Sequence, residues 1–165
     1  MFALIQSILL IYLILAAQFE SFKDPLIIML TVPLAIAGAL VFMYFGDITM
    51  NIFSQIGIIM LIGLVAKNGI LIVEFANQKQ EAGEDKMSAI KDAALQRLRS
   101  ILMTSASTVL GLIPLAFATG EGCNQRIAMG TAVVGGMVVS TLLTMYIVPA
   151  IYSYISTNRI KKLQE

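Results

Sequence analysis

The apolar run from Ile52 to Ala76 is longer than the roughly 20 helical residues that cross a bilayer. Four more blocks of the same kind occupy about 2–19, 25–45, 100–119 and 127–156. In lipid, only helices and closed barrels satisfy every backbone polar group, and no ten-residue alternation of the barrel type is present. The pattern predicts an all-α membrane protein, a bundle of five transmembrane helices. Composition agrees: 13% of residues are charged and 58% hydrophobic, where soluble domains carry about 25% charged residues. Lipid is therefore the expected solvent. A net charge of +1 without basic–aromatic runs gives no basis for a nucleic-acid partner.

The connections "ESFKD", "GDITMN" and "EGCNQR" are short. Asp24-Pro25 reads as an N-cap followed by proline at the first helical position. Pro33 and Pro114 fall inside spans and are expected to kink them, while Pro149 sits near the end of the last one. The longer connection carries Met87, Ile90, Ala94 and Leu98 at helical spacing, with Lys86, Lys91, Asp92 and Gln96 between them. That spacing predicts one amphipathic helix over about 79–98, lying in the cytoplasmic interface. An ordinary solvated helix fits the same pattern.

Orientation follows from lysine and arginine, which are retained on the cytoplasmic side. Lys23, Lys79, Lys86, Lys91, Arg97, Arg99, Arg159, Lys161 and Lys162 fall in alternate connections, and the opposite side holds only Arg126. The bias places the C-terminus in the cytoplasm and, with five spans, the N-terminus outside. Met1–Phe19 has no charged n-region and no cleavage site, so it reads as a span rather than a leader. An uncharged outer N-terminus and an odd number of spans fit a chain that continues from something upstream.

Lys67 interrupts the third span about nine residues before its expected cytoplasmic end, roughly 13 Å along the axis. An unpaired charge at such depth costs at least about 2.5–3.5 kcal/mol. All ten acidic residues lie in connections, termini or the last turns of spans, and the nearest along the helix is Glu74. The partner of Lys67 is thus expected on another segment, or not at all. Two readings fit: an ion-relay lysine, or a lysine in a wet crevice that holds helices together. The first is favoured, because intramembrane ionisable groups are functional by default. Asn68 fits interhelical hydrogen bonding. Arg97 and Thr104, seven apart, share a helix face; taken alone, they read as a positive-inside anchor and a packing residue. Gly130, Gly135, Gly136 and Ser140 form small-residue faces suited to close helix contact.

Enzyme chemistry finds no footing. The chain has no histidine, one cysteine (Cys123, in a connection) and no intramembrane aspartate pair, so the usual protease chemistries lack their residues. No Walker-type glycine loop supports ATP use. The ten methionines are scattered as core filler rather than paired as metal ligands. No cofactor and no metal site are expected.

The stretches "LAAQFESFKDPLIIMLTVPLAIAGAL", "GLVAKNGILIVEFAN", "RLRSILMTS" and "GTAVVGGMVVSTLLTMYIVPAIY" together resemble the end of the resistance–nodulation–division (RND) transporters. The nearest type is the AcrB-like inner-membrane pump of tripartite drug efflux systems. The resemblance covers nearly all 165 residues. It implies a partial transmembrane domain, the eighth to twelfth helices of a twelve-helix transporter in the bacterial inner membrane. Lys67 falls on the family's relay lysine, which pairs with two aspartates of the fourth helix. Arg97 falls on the relay arginine and Thr104 on the relay threonine, so the resemblance turns both towards function. Implied partners are the N-terminal part of the pump, two further copies in a homotrimer, a periplasmic adaptor, an outer-membrane channel and amphiphilic substrates. The family commonly reads "RLRP" where this chain has Ser100, so the following span is expected to begin differently. A small non-catalytic membrane protein that modulates a larger transporter stays open as the alternative.

Overall fold

The computed structural model describes residues 2–19 and 22–155. Its helices are α1 (Phe2–Phe19), α2 (Lys23–Met29), α3 (Thr31–Phe45), α4 (Ile52–Glu81), α5 (Lys86–Ala116) and α6 (Cys123–Ile155). Among the described residues there is no strand. Taking α2 and α3 together, five helical stretches are long and apolar enough to cross a membrane. The end of the last expected span at 156 and the basic residues Arg159, Lys161 and Lys162 lie outside the described residues.

The second span is interrupted at Leu30, between α2 and α3. Pro33 accounts for the break, because it has no N–H to donate to the Met29 carbonyl. Asp24 does not cap this span. Phe22 holds the N-cap position, and Asp24 sits buried in the first turn of α2, where its carboxylate serves a different purpose described below.

The expected interfacial helix over 79–98 is not a separate element. α4 runs five residues beyond Ala76 and stops at Glu81. Gly83, with φ +97°, ends it: the Gly83 and Glu84 N–H groups donate to the carbonyls of Gln80 (3.0 Å) and Lys79 (3.2 Å). This is the paired closure that a left-handed residue after a helix provides. The amphipathic segment then starts at Lys86 and runs without a break into the fourth span as α5. Nothing at Arg99-Ser100 interrupts it, since serine keeps the backbone donor that a proline would remove. At the far end, Gly120 (φ +114°) and Gly122 (φ +74°) make the turn. α6 therefore begins at Cys123, four residues before the apolar block.

α6 packs against α3, α4 and α5, and its small residues set the separations. A Cβ on Gly130 would lie 2.7 Å from the Ala116 backbone nitrogen, and one on Gly136 would run into Leu61 of α4. Van der Waals contact of this closeness is what holds helices together where lipid is as apolar as leucine. Thr141 of α6 also donates to Ser105 of α5 at 3.0 Å. Two buried clusters result. One joins Ile27, Ile28, Ile72, Val73, Ile101 and Val148, and the other Val32, Ala39, Leu61, Ile62, Ala132 and Met137. α1 is peripheral, with only Leu15 and Phe19 buried.

Candidate functional site

α4 carries two faces. Leu61, Val65, Asn68, Ile72 and Val73 are buried, while Met60, Gly63, Lys67, Glu74 and Gln78 are exposed. The exposed positions recur every three to four residues, or every seven, so they form one stripe along the helix. Lys67 stands in the middle of it, fourteen residues before the helix end and thus about 21 Å from it along the axis. Among the described residues no carboxylate lies within 4.0 Å of its ammonium; ion pairs join Lys79 to Glu84 (2.9 Å) and Asp92 (3.7 Å) at the α4–α5 turn. A Cβ added to Gly63, one turn away, meets nothing within 4 Å. The ground around the lysine is open.

Arg97 lies on α5, partly buried, with its guanidinium carbon 4.7 Å from the centre of the Phe75 ring of α4. The ring face is the negative end of the aromatic quadrupole, and a planar guanidinium stacks on it. The Arg97 Nε is buried without a hydrogen-bond partner, a state that carries a desolvation cost. Thr104 is exposed two turns on, and its hydroxyl donates back to the Ser100 carbonyl at 2.8 Å. Thr108 does the same towards Thr104 at 2.9 Å, and Gly111 on this flank is as open as Gly63. The fold thus brings Arg97 against α4 through Phe75 and leaves Lys67 and Thr104 on open surface, with no direct contact among the three.

One polar cluster has no counterpart in the sequence reading. Gln80 Nε2 donates to the Tyr152 hydroxyl at 2.9 Å, which donates to Asn77 Oδ1 at 2.5 Å. Asn77 Nδ2 then donates to the Asp24 carboxylate at 3.0 Å. All four side chains are buried: Asp24 is 3% exposed, Asn77 5%, Gln80 and Tyr152 0%. The one signal in the sequence is that Asn77 and Gln80 extend the buried face of Val73 and Ala76 past the apolar block. Among the described residues no three metal-ligating side chains come together.

Comparison with known proteins settles the family. The sequence pattern of the AcrB/AcrD/AcrF family matches residues 1–156. This chain belongs to the AcrB/AcrD/AcrF family. Within it, the chain is 46% identical over 159 residues to an uncharacterised transporter of Haemophilus influenzae. It is 41% identical over 151 residues to the toluene efflux pump membrane transporter TtgB of Pseudomonas putida, and 43% over 147 residues to the multidrug resistance protein MdtF of Escherichia coli. These alignments take in 92%, 92% and 88% of the chain but only 15%, 14% and 14% of the respective relatives. This AcrB/AcrD/AcrF segment is an RND transporter sequence, and its all-helical membrane bundle agrees with the resemblance read from its motifs.

Proposed function

We propose that this chain works as the C-terminal transmembrane part of a proton-motive-force-driven RND drug efflux pump and carries part of its proton relay. The observation that carries the reading is Lys67, a charge on the open stripe of a membrane-spanning helix with no carboxylate within 4.0 Å among the described residues. Left alone in the membrane it costs at least about 2.5–3.5 kcal/mol, so the working arrangement takes an acid from outside these helices. Two aspartates on a fourth helix, as in the family, supply it. The Arg97 guanidinium, partly buried over Phe75, is a second cation beside which such a helix can place an acceptor. Gly63 and Gly111 leave room for its backbone to come close.

In this reading protons reaching the aspartates release Lys67, Arg97 and Thr104 take part in the exchange, and the altered pairing drives the conformational cycle. Lysine suits the role as a compact charge on a flexible stem that can change partners. The whole pump is a homotrimer in the inner membrane, joined to a periplasmic adaptor and an outer-membrane channel. It needs no cofactor beyond the proton gradient. Its substrates are amphiphilic organic compounds; TtgB is named as a toluene efflux pump and MdtF as a multidrug resistance protein, and both names agree with organic rather than metal cargo. The C-terminus lies in the cytoplasm.

The test is drug-dependent proton flux in vesicles containing the full-length pump. Lys67→Met removes the charge, and Lys67→Arg makes it permanent and planar. Both are expected to reduce coupled flux to background while trimers still assemble and bind drug. Near-normal coupling in the methionine variant would reduce Lys67 to a packing residue and overturn the proposal.

A further inference from the structure

We infer that Asp24, Asn77 and Tyr152 form a latch that fixes the axial position of α4, and with it the height of Lys67. The hydrogen bonds from Gln80 to Tyr152, from Tyr152 to Asn77 and from Asn77 to Asp24 all run in one direction. Each donor points along the chain towards the carboxylate. In a low-dielectric interior such a chain polarises cooperatively, and a charged acceptor at its end makes the final bond about twice as strong as a neutral one. An ionised carboxylate, which accepts and does not donate, is a natural terminus for such a chain. The four side chains come from the start of α2 (Asp24), the last turns of α4 (Asn77, Gln80) and the end of α6 (Tyr152). They tie three helix ends together at one end of the bundle.

Lys67 and Asn77 share α4, which is helical without interruption from Ile52 to Glu81. They are ten residues apart, about 15 Å along the axis. A helix of this kind transmits displacement as a rod, so whatever sets Asn77 against α2 and α6 also sets Lys67 against its partner acids. Asp24, Asn77 and Tyr152 are positioning residues for the relay. This inference rests on the relay reading of Lys67 for its consequence, though the latch itself does not.

The experiment uses the full-length transporter carrying this segment, reconstituted in lipid, with two readouts: amide hydrogen exchange over residues 74–81, and drug-driven proton flux. Asp24→Asn keeps shape and an acceptor but loses the charge, and Tyr152→Phe removes one link while keeping the ring. Each is expected to speed exchange over 74–81 by about tenfold, through loss of the charge-assisted bond in Asp24→Asn and of two neutral bonds in Tyr152→Phe. Each is also expected to lower the turnover of coupled flux with the drug KM unchanged. The exchanged pair, Asp24→Asn with Asn77→Asp, restores a carboxylate that accepts from both Tyr152 and residue 24, and is expected to recover both readouts. Wild-type exchange in Asp24→Asn or Tyr152→Phe overturns the latch, as does an exchanged pair no better than Asp24→Asn alone. Altered exchange with unchanged turnover overturns the positioning role. Absence of drug-driven proton flux in the unmodified transporter counts against the proposed function instead, and the exchange data still decide the latch.

Discussion

Arg97 joins α5 to α4 through one contact, separate from the relay proposed for it. Its guanidinium lies over Phe75, a contact worth about 0.5–1 kcal/mol at exposed sites and more when desolvated. Lysine carries the same charge but has no planar face to stack. A double-mutant cycle of Arg97→Met, which also removes the cation that lysine would keep, and Phe75→Leu, read from unfolding in detergent, should return a coupling of about 0.5–1 kcal/mol. A coupling of zero would mean the stacking contributes nothing to holding α5 against α4. Lys67 was legible in the sequence because a charge inside an apolar run breaks a strong expectation. Asp24 was not, because next to a proline and a connection it has every appearance of a cap. Its burial comes from Asn77 and from the helix carrying Tyr152, 53 and more residues away, and no local pattern records such a partner.

The helices follow two rules that separate where lipid ends. Hydropathy marks the five spans, because each must present apolar surface along its length. Beyond the apolar blocks, stop signals take over, so α4 stops at Glu81, just before Gly83, and α6 begins after Gly120 and Gly122. Hydropathy contains no trace of those limits, although the glycines themselves do. The continuity of α5 has a direct test in Ser100→Pro. Proline would remove the N–H that an α-helix directs to the Gln96 carbonyl, at a cost of about 3 kcal/mol. Amide exchange is expected to rise around residues 96–100, separating the amphipathic turns from the span; unchanged protection there would show that packing, not backbone bonding, maintains the helix. Close packing has its own contrast. Gly130→Val sets a side chain against the Ala116 backbone, 2.7 Å from its nitrogen, and should destabilise the bundle by about 1–3 kcal/mol in thermal unfolding. Gly63→Ala meets no atom within 4 Å. It should leave this chain's stability unchanged or slightly raised, a direction consistent with alanine's better helix propensity.

At the scale of the molecule, the hydrogen-bonded chain and the charge pattern point to the same arrangement by independent routes. Asp24, Asn77 and Tyr152 place the start of α2 and the ends of α4 and α6 together. Lys23, Lys79 and Lys86 belong to those same ends or to the turn beside them. The opposite end holds the Asp47 turn, the Asn51–Ser54 cap of α4 and the turn before Cys123. Retention of lysine and arginine on the cytoplasmic side leads to the expectation that the latch end faces the cytoplasm and Cys123 the periplasm. Cys123 is the single cysteine of these 165 residues and is neither fully buried nor disulfide-bonded, so labelling mapped to it reports the side of its turn. A membrane-impermeant thiol reagent should label it in cells whose outer membrane alone has been permeabilised. In a Cys123→Ser background, Lys91→Cys, at a position exposed near the start of α5, should react only after the inner membrane is opened. The reverse pattern would invert every span at once, because helices joined by short turns cannot change sides singly. It would also move the basic residues to the periplasmic face, against the rule on which the assignment stands.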